Sequence, residues 1–196
     1  MNGTTLVAAT NNKGKLREII QLLPENVTLK TLADIGFVQD IPEPFETFEE
    51  NAAAKARTVR TFCGLNVFAE DSGLCVPALD GAPGVHSARY AGEPKDDGRN
   101  LVKLADTMWG KENRDAYYKA VICLVWNGKE HYFEGTCHGA LAEEPKGSGG
   151  FGYDPLFIPN GYTETFGELP DEVKNKLSHR GEAVRKMIAF IQEQSK

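Results

Sequence analysis

Apolar residues fall along this chain in short runs and helical stripes that alternate. Thr4 to Thr10 (TTLVAAT) is a brief apolar run bounded by polar residues, the mark of a buried strand. After the polar turn Asn11-Asn12-Lys13-Gly14, residues Leu16, Ile19, Ile20 and Leu23 share one face at helical spacing, which predicts a helix over 15–23 that Pro24 ends. A second strand and its exit are expected over 27–35, and the proline- and acid-rich stretch 39–48 reads as loop. Thr47 followed by Glu50 is a capping-box pattern ahead of an alanine-rich helix over 51–62. Strand-like residues at 67–69 and 74–76 are interrupted by Glu70-Asp71-Ser72-Gly73. The stretch 80–93 reads as irregular, and an amphipathic helix is expected over 100–109. Two long strand-like runs, 117–127 and 130–138, flank Asn127-Gly128, the strongest short hairpin signal. The glycine-rich 147–152 reads as loop, 155–158 as a short strand, and 170–177 and 182–194 as helices. Helices and strands interleave around one hairpin, so an α/β fold on a mixed sheet is expected.

Composition narrows the class. A chain of 196 residues is long enough to bury roughly 70% of its unfolded surface, so one domain over 1–196, with room for two lobes, needs no staples. The formal net charge of −6 argues against DNA or RNA as a partner, since a nucleic-acid surface calls for a basic face. A phosphate ligand remains compatible with an acidic chain where lysines and arginines converge and a divalent cation helps. Cys63, Cys75, Cys123 and Cys137 show neither CxxC nor zinc-ligand spacing, and read as reduced core thiols. The longest apolar run, 120–126, falls far below the ~20 residues that span a bilayer. With no leader visible in Met1-Asn2-Gly3, a soluble cytoplasmic protein is expected, with no membrane partner.

Five segments carry candidate chemistry. Thr10-Asn11-Asn12-Lys13-Gly14-Lys15 sits where a strand turns into a helix, a place where unpaired N–H groups and the helix dipole favour anions and Lys15 can add a charge. A lysine followed by Leu16 excludes a Walker A loop, and an ordinary polar turn fits the same residues. Glu70-Asp71 lies at a strand end. Asp71, with Glu70 or with Glu43 of the Pro42-Glu43-Pro44 loop, could hold Mg²⁺ and accept a proton from water; an Asx-turn before Gly73 is the other reading. Lys55 stands either on the helix surface, paired with Asn51 or Glu50, or in the same site. Phe151-Gly152-Tyr153-Asp154, within GSGGFGYD, offers close backbone approach and aromatic faces for a base, or merely a flexible loop with rings tucked inward. Ser178-His179-Arg180, with Lys174 one turn upstream, could read a base edge or bind phosphate, or act as a cap.

Taken together and in this order, Thr10-x-Asn12-x-x-Lys15, Glu70 to Leu74, Ser87 to Gly92, Gly149 to Pro155 and Lys174-Asn175 before Ser178-His179-Arg180 resemble the inosine triphosphate pyrophosphatase family over nearly the whole chain. The resemblance implies an elongated mixed α/β sheet with flanking helices, two lobes around a cleft and a homodimer. It implies Mg²⁺-dependent hydrolysis of ITP, dITP and XTP to the monophosphate and pyrophosphate. Carried over by position, Thr10, Asn11, Asn12, Lys13, Gly14, Lys15 and Lys55 would hold the triphosphate. Asp71 would be general base and metal ligand, with Glu43, or Glu70, as second metal site. Ser72, Phe151, Gly152, Tyr153, Asp154, Lys174, His179 and Arg180 would hold the nucleoside. Gly167 departs from the alanine these proteins often carry before Glu-Leu. Rival expectations are a pyrophosphatase for other modified nucleotides and a non-catalytic nucleotide sensor.

Overall fold

The computed structural model describes residues 4–194; Met1-Asn2-Gly3, read above for the lack of a leader, lies outside them. Six strands, β1 (Thr4–Ala8), β2 (Val27–Lys30), β3 (Val67–Cys75), β4 (Asp115–Trp126), β5 (Lys129–Leu141) and β6 (Phe157–Pro159), form one sheet in the order β2-β1-β3-β4-β5-β6. The strands β2 and β3 pair parallel to β1, while β6 runs antiparallel to β5, so the sheet is mixed as expected. Five helices flank it: α1 (Lys13–Leu22), α2 (Phe48–Cys63), α3 (Asp97–Thr107), α4 (Asp171–Leu177) and α5 (His179–Gln194). The described residues divide into two compact units, one from residues 4–71, 120–135 and 180–194, the other from Ser72–Lys119 and Thr136–His179.

In the first unit β1 and the 67–69 segment of β3 are apolar on both faces because helices cover both. Leu6, Ala8 and Phe68 pack with Ile19 of α1 and with Ala183, Val184, Met187 and Ile191 of α5. The alternate residues Val7, Ala9, Val67 and Ala69 pack with Ala52, Ala53, Ala56 and Val59 of α2. Thr47 caps α2, its hydroxyl accepting from the Glu50 N–H at 3.2 Å and donating to the Glu50 carboxylate at 2.7 Å, and Gly64 closes the helix at φ +69°. At the predicted hairpin Asn127 and Gly128 both have positive φ, +49° and +82°, as a tight two-residue turn requires.

The second unit is built around Leu74, Val76, Leu104, Met108, Tyr118, Leu156, Phe157 and Phe166. Two features differ from the sequence-based expectation. The third strand is not interrupted at its carboxylates but runs through them to Cys75, which overturns the Asx-turn. The final helix begins at His179 rather than residue 182, so His179 and Arg180 are its first-turn residues.

Candidate active site

Consecutive residues of a strand point to opposite faces, and this parity organises the charges of the first unit. Phe68 and Glu70 share the face covered by α1 and α5. Asp71 shares the other face with Val67 and Ala69, under α2. Each carboxylate therefore meets a different helix.

On the α1–α5 face the Glu70 carboxylate, 2% exposed with its residue, is gripped at both oxygens by Arg180, Nε to Oε2 at 2.7 Å and Nη2 to Oε1 at 2.9 Å. Arg180 Nη1 donates to Glu18 on α1. Lys15, one turn before Glu18, brings its Nζ to 3.5 Å from Glu70 Oε1. Burial alone would lower the Arg180 pKa, but Glu70 and Glu18 more than reverse this and keep the guanidinium charged. For Lys15 burial wins: its pKa lies below the ordinary lysine value despite the pull of Glu70, with Lys55 and Arg180 adding repulsion. An incoming anion would relieve that strain on Lys15.

On the α2 face Lys55 is buried, which overturns its surface reading. Its ammonium donates to the Glu43 carboxylate, donates to the Glu70 carbonyl oxygen at 2.9 Å and stands 3.7 Å from Asp71 Oδ1. Of the two partners open to Asp71, the geometry thus brings Glu43 to the same ammonium and turns Glu70 to the opposite face. Burial pushes the Asp71 carboxyl above the usual carboxylate range, with Lys55 and Lys15 pulling back and Glu43 reinforcing the rise.

The Thr10–Lys15 turn starts α1 after β1. Asn12 caps the helix by accepting the Lys15 N–H at 3.0 Å, and Thr10 Oγ1 accepts the Asn12 N–H at 3.1 Å. The first-turn N–H groups of Lys13 and Gly14 have no carbonyl available within the helix. Asn11, Asn12 and Lys13 are exposed, Thr10 and Gly14 half-exposed.

In the second unit Ser72 lies half-buried in β3. Asp154 is the hub of the glycine loop. Its Oδ2 accepts from Lys174 Nζ at 2.6 Å and from the Phe151 N–H at 2.9 Å, and its Oδ1 accepts from the Tyr118 hydroxyl at 3.2 Å. Tyr118 lies flat against His179, ring centres 4.6 Å apart and planes 7° apart. Phe151 is half-buried with Lys174 Nζ 5.1 Å from its ring centre. Tyr153, by contrast, is 4% exposed and donates its hydroxyl to the Ser87 carbonyl at 2.7 Å, an anchor rather than an open face. Gly150 has φ +71°, and a Cβ there would collide with the Asp154 carboxylate. Gly150→Ala is therefore expected to cost ~1–3 kcal/mol in unfolding free energy by chemical denaturation, and to loosen the Lys174–Asp154 pair.

Three participants escaped the sequence. Tyr118 read as one more strand residue. Ser87 lay within a quoted motif without a role. Glu18 was detectable only from its position three residues after Lys15, on the same helix face.

Among the described residues no three His, Cys, Asp or Glu side chains converge as a cation site. A hard cation such as Mg²⁺ nevertheless takes only one or two protein carboxylates and completes its shell with phosphate oxygens and water. Glu43 and Asp71, converging on one ammonium, fit that donor set, whereas the Glu70 carboxylate is committed to Arg180.

A family model described as the Ham1 family matches residues 6–190. The chain is 47% identical over 186 residues to the dITP/XTP pyrophosphatase of Flavobacterium johnsoniae, covering 95% of this chain and 97% of that protein. Its fold superposes on a HAM1 protein from Coxiella burnetii with a TM-score of 0.89 at 36% identity, covering 97% and 99% of the two chains. The Staphylococcus aureus Ham1 protein gives 0.88 at 35% identity, covering 97% and 100%. The sequence motifs, the mixed sheet and these likenesses agree: the chain belongs to the Ham1 family.

Proposed function

We propose that this protein hydrolyses deaminated purine nucleoside triphosphates, ITP, dITP and XTP, to the monophosphate and pyrophosphate, removing them from the nucleotide pool. The observation that carries this reading is Asp71 itself: a buried carboxylate with a raised pKa, facing Lys55 and within the field of Lys15, near an α-helix N-terminus suited to anions. Relatives that share nearly half of its residues and carry the name dITP/XTP pyrophosphatase support the substrate class.

In this account the N–H groups of Lys13 and Gly14, the polar side chains of Thr10, Asn11 and Asn12, and the ammonium groups of Lys15 and Lys55 receive the triphosphate. Asp71 accepts a proton from the attacking water. Its raised pKa makes it a better base than an ordinary aspartate. Glu43 and Asp71 would hold Mg²⁺, which when bound neutralises phosphate oxygens. Positioning and charge stabilisation by the lysines supply the bulk of the rate in such phosphoryl transfer.

The nucleoside falls to Ser72, the Phe151 ring, Gly152, the Lys174–Asp154 pair and His179 on Tyr118. Hypoxanthine and xanthine carry an acceptor at C6 where adenine carries a donor. Arg180 is already engaged by two carboxylates, so Lys174, His179 or backbone N–H groups are the donors to that oxygen. Adenine would leave such a donor unmet, at ~1–3 kcal/mol. Assembly as a homodimer and action in the cytoplasm belong to the same proposal and rest on the family resemblance.

The expected result, measured as pyrophosphate release with Mg²⁺, is a kcat/KM for ITP and XTP at least about tenfold above that for ATP. Equal values for all purines, or faster turnover of UTP or TTP, would overturn the substrate class. Binding without any turnover would favour a sensor.

A further inference from the structure

The glycine loop that carries Phe151 has no regular ladder of its own, since Gly147, Gly150 and Gly152 all adopt positive φ. Its backbone is held by single N–H groups. Gly149 donates to the Gly167 carbonyl at 2.9 Å and Phe151 donates to Asp154, three residues on, at 2.9 Å. Gly152 donates to Asp97 Oδ2 at 3.1 Å, a carboxylate 55 residues away in sequence. Asp97 is the first residue of α3, whose start is fixed by Asp96 accepting the Arg99 N–H at 2.8 Å. The amides of residues 151 and 152 are thus pinned in succession, one by Asp154 and one by Asp97.

We propose that Asp97 is a positioning residue for nucleotide binding: by accepting the Gly152 N–H it fixes the loop that presents the Phe151 ring to the base. This rests on the pyrophosphatase reading above. Asp97 lies outside every motif that pointed to the family. Its effect is exerted through the loop, so it tunes affinity more than chemistry. A first-turn aspartate also favours the helix dipole, but that effect needs the charge, whereas holding an N–H needs only an oxygen. Asparagine separates the two.

The test compares wild type, Asp97→Ala and Asp97→Asn by hydrogen exchange of the 147–154 segment and by steady-state kinetics with ITP and Mg²⁺. In Asp97→Ala the loop amides are expected to exchange faster and KM to rise about fivefold, with kcat held within about twofold. Asp97→Asn is expected to restore both, because its side-chain oxygen still accepts. Wild-type exchange and KM in Asp97→Ala, or an asparagine variant that behaves like alanine, would overturn the proposal. So would a joint fall of kcat and Tm, which marks plain structural support. Should wild type fail to cleave ITP, the pyrophosphatase reading falls by itself, and the exchange comparison still decides whether Asp97 holds the loop.

Discussion

Asparagine at position 71 is expected to slow pyrophosphate release from ITP by about 10²-fold or more while making the ligand-free protein more stable. Loss of rate follows from removing the base and one of the two carboxylates suited to the cation, with shape kept. The gain in stability follows from the direction of the Asp71 pKa. Burial raises it, so the fold binds that proton more tightly than the unfolded chain does. The protonated group therefore contributes stability that is fully present below the ordinary carboxylate pKa of about 3.9 and is lost as pH rises through the folded value. Above that value the buried carboxylate is a net burden, and Asp71→Asn removes it. Thermal unfolding without nucleotide should show a higher Tm for the variant near pH 7.5, by roughly 2–4 °C per kcal/mol relieved, and a difference that shrinks on acidification. A variant less stable than wild type at neutral pH would show that Asp71 serves the fold, through Lys55, rather than the chemistry.

The second large effect concerns Arg180. Its guanidinium joins Glu70 of β3 to Glu18 of α1, all three being buried. Arg180→Leu leaves two carboxylates buried without their shared counter-charge and is expected to destabilise the protein by ~3–5 kcal/mol in chemical denaturation. Glu18→Gln and Glu70→Gln added to that background should return much of the loss, because the unpaired charges go with them. If Arg180→Leu costs less than about 1 kcal/mol, the three groups are not the buried network described above.

Much of the fold was legible because its signals are local. The Asn127-Gly128 turn, the Thr47–Glu50 cap and the alternation of strand and stripe each lie within a few residues. What misled was charge in a strand. A local window reads Glu70-Asp71 as a break, since buried carboxylates are costly, yet β3 continues because Arg180, 110 residues on from Glu70, and Lys55, on the helix before Asp71, compensate them. The same distance hid the start of α5, where Ser178-His179-Arg180 looked like a junction. For the candidate site the sequence named Lys15, Lys55, Asp71, Asp154, Lys174 and Arg180, and the structure gives each a charged or hydrogen-bonding partner. It did not foresee that adjacent carboxylates would serve opposite faces or that Arg180 would be committed to Glu70 and Glu18, and it left open the inward Tyr153 ring that the structure shows. Those outcomes depend on which helix lies over which face, a fact that appears only after packing.

The most direct measurement is the identity and rate of the products formed from ITP and Mg²⁺ by wild type and Asp71→Asn side by side. Equimolar IMP and pyrophosphate from wild type, formed about 10²-fold more slowly by the variant, is the expected result. IDP with inorganic phosphate, or equal rates from the two proteins, would contradict a buried carboxylate at position 71 driving the release of pyrophosphate.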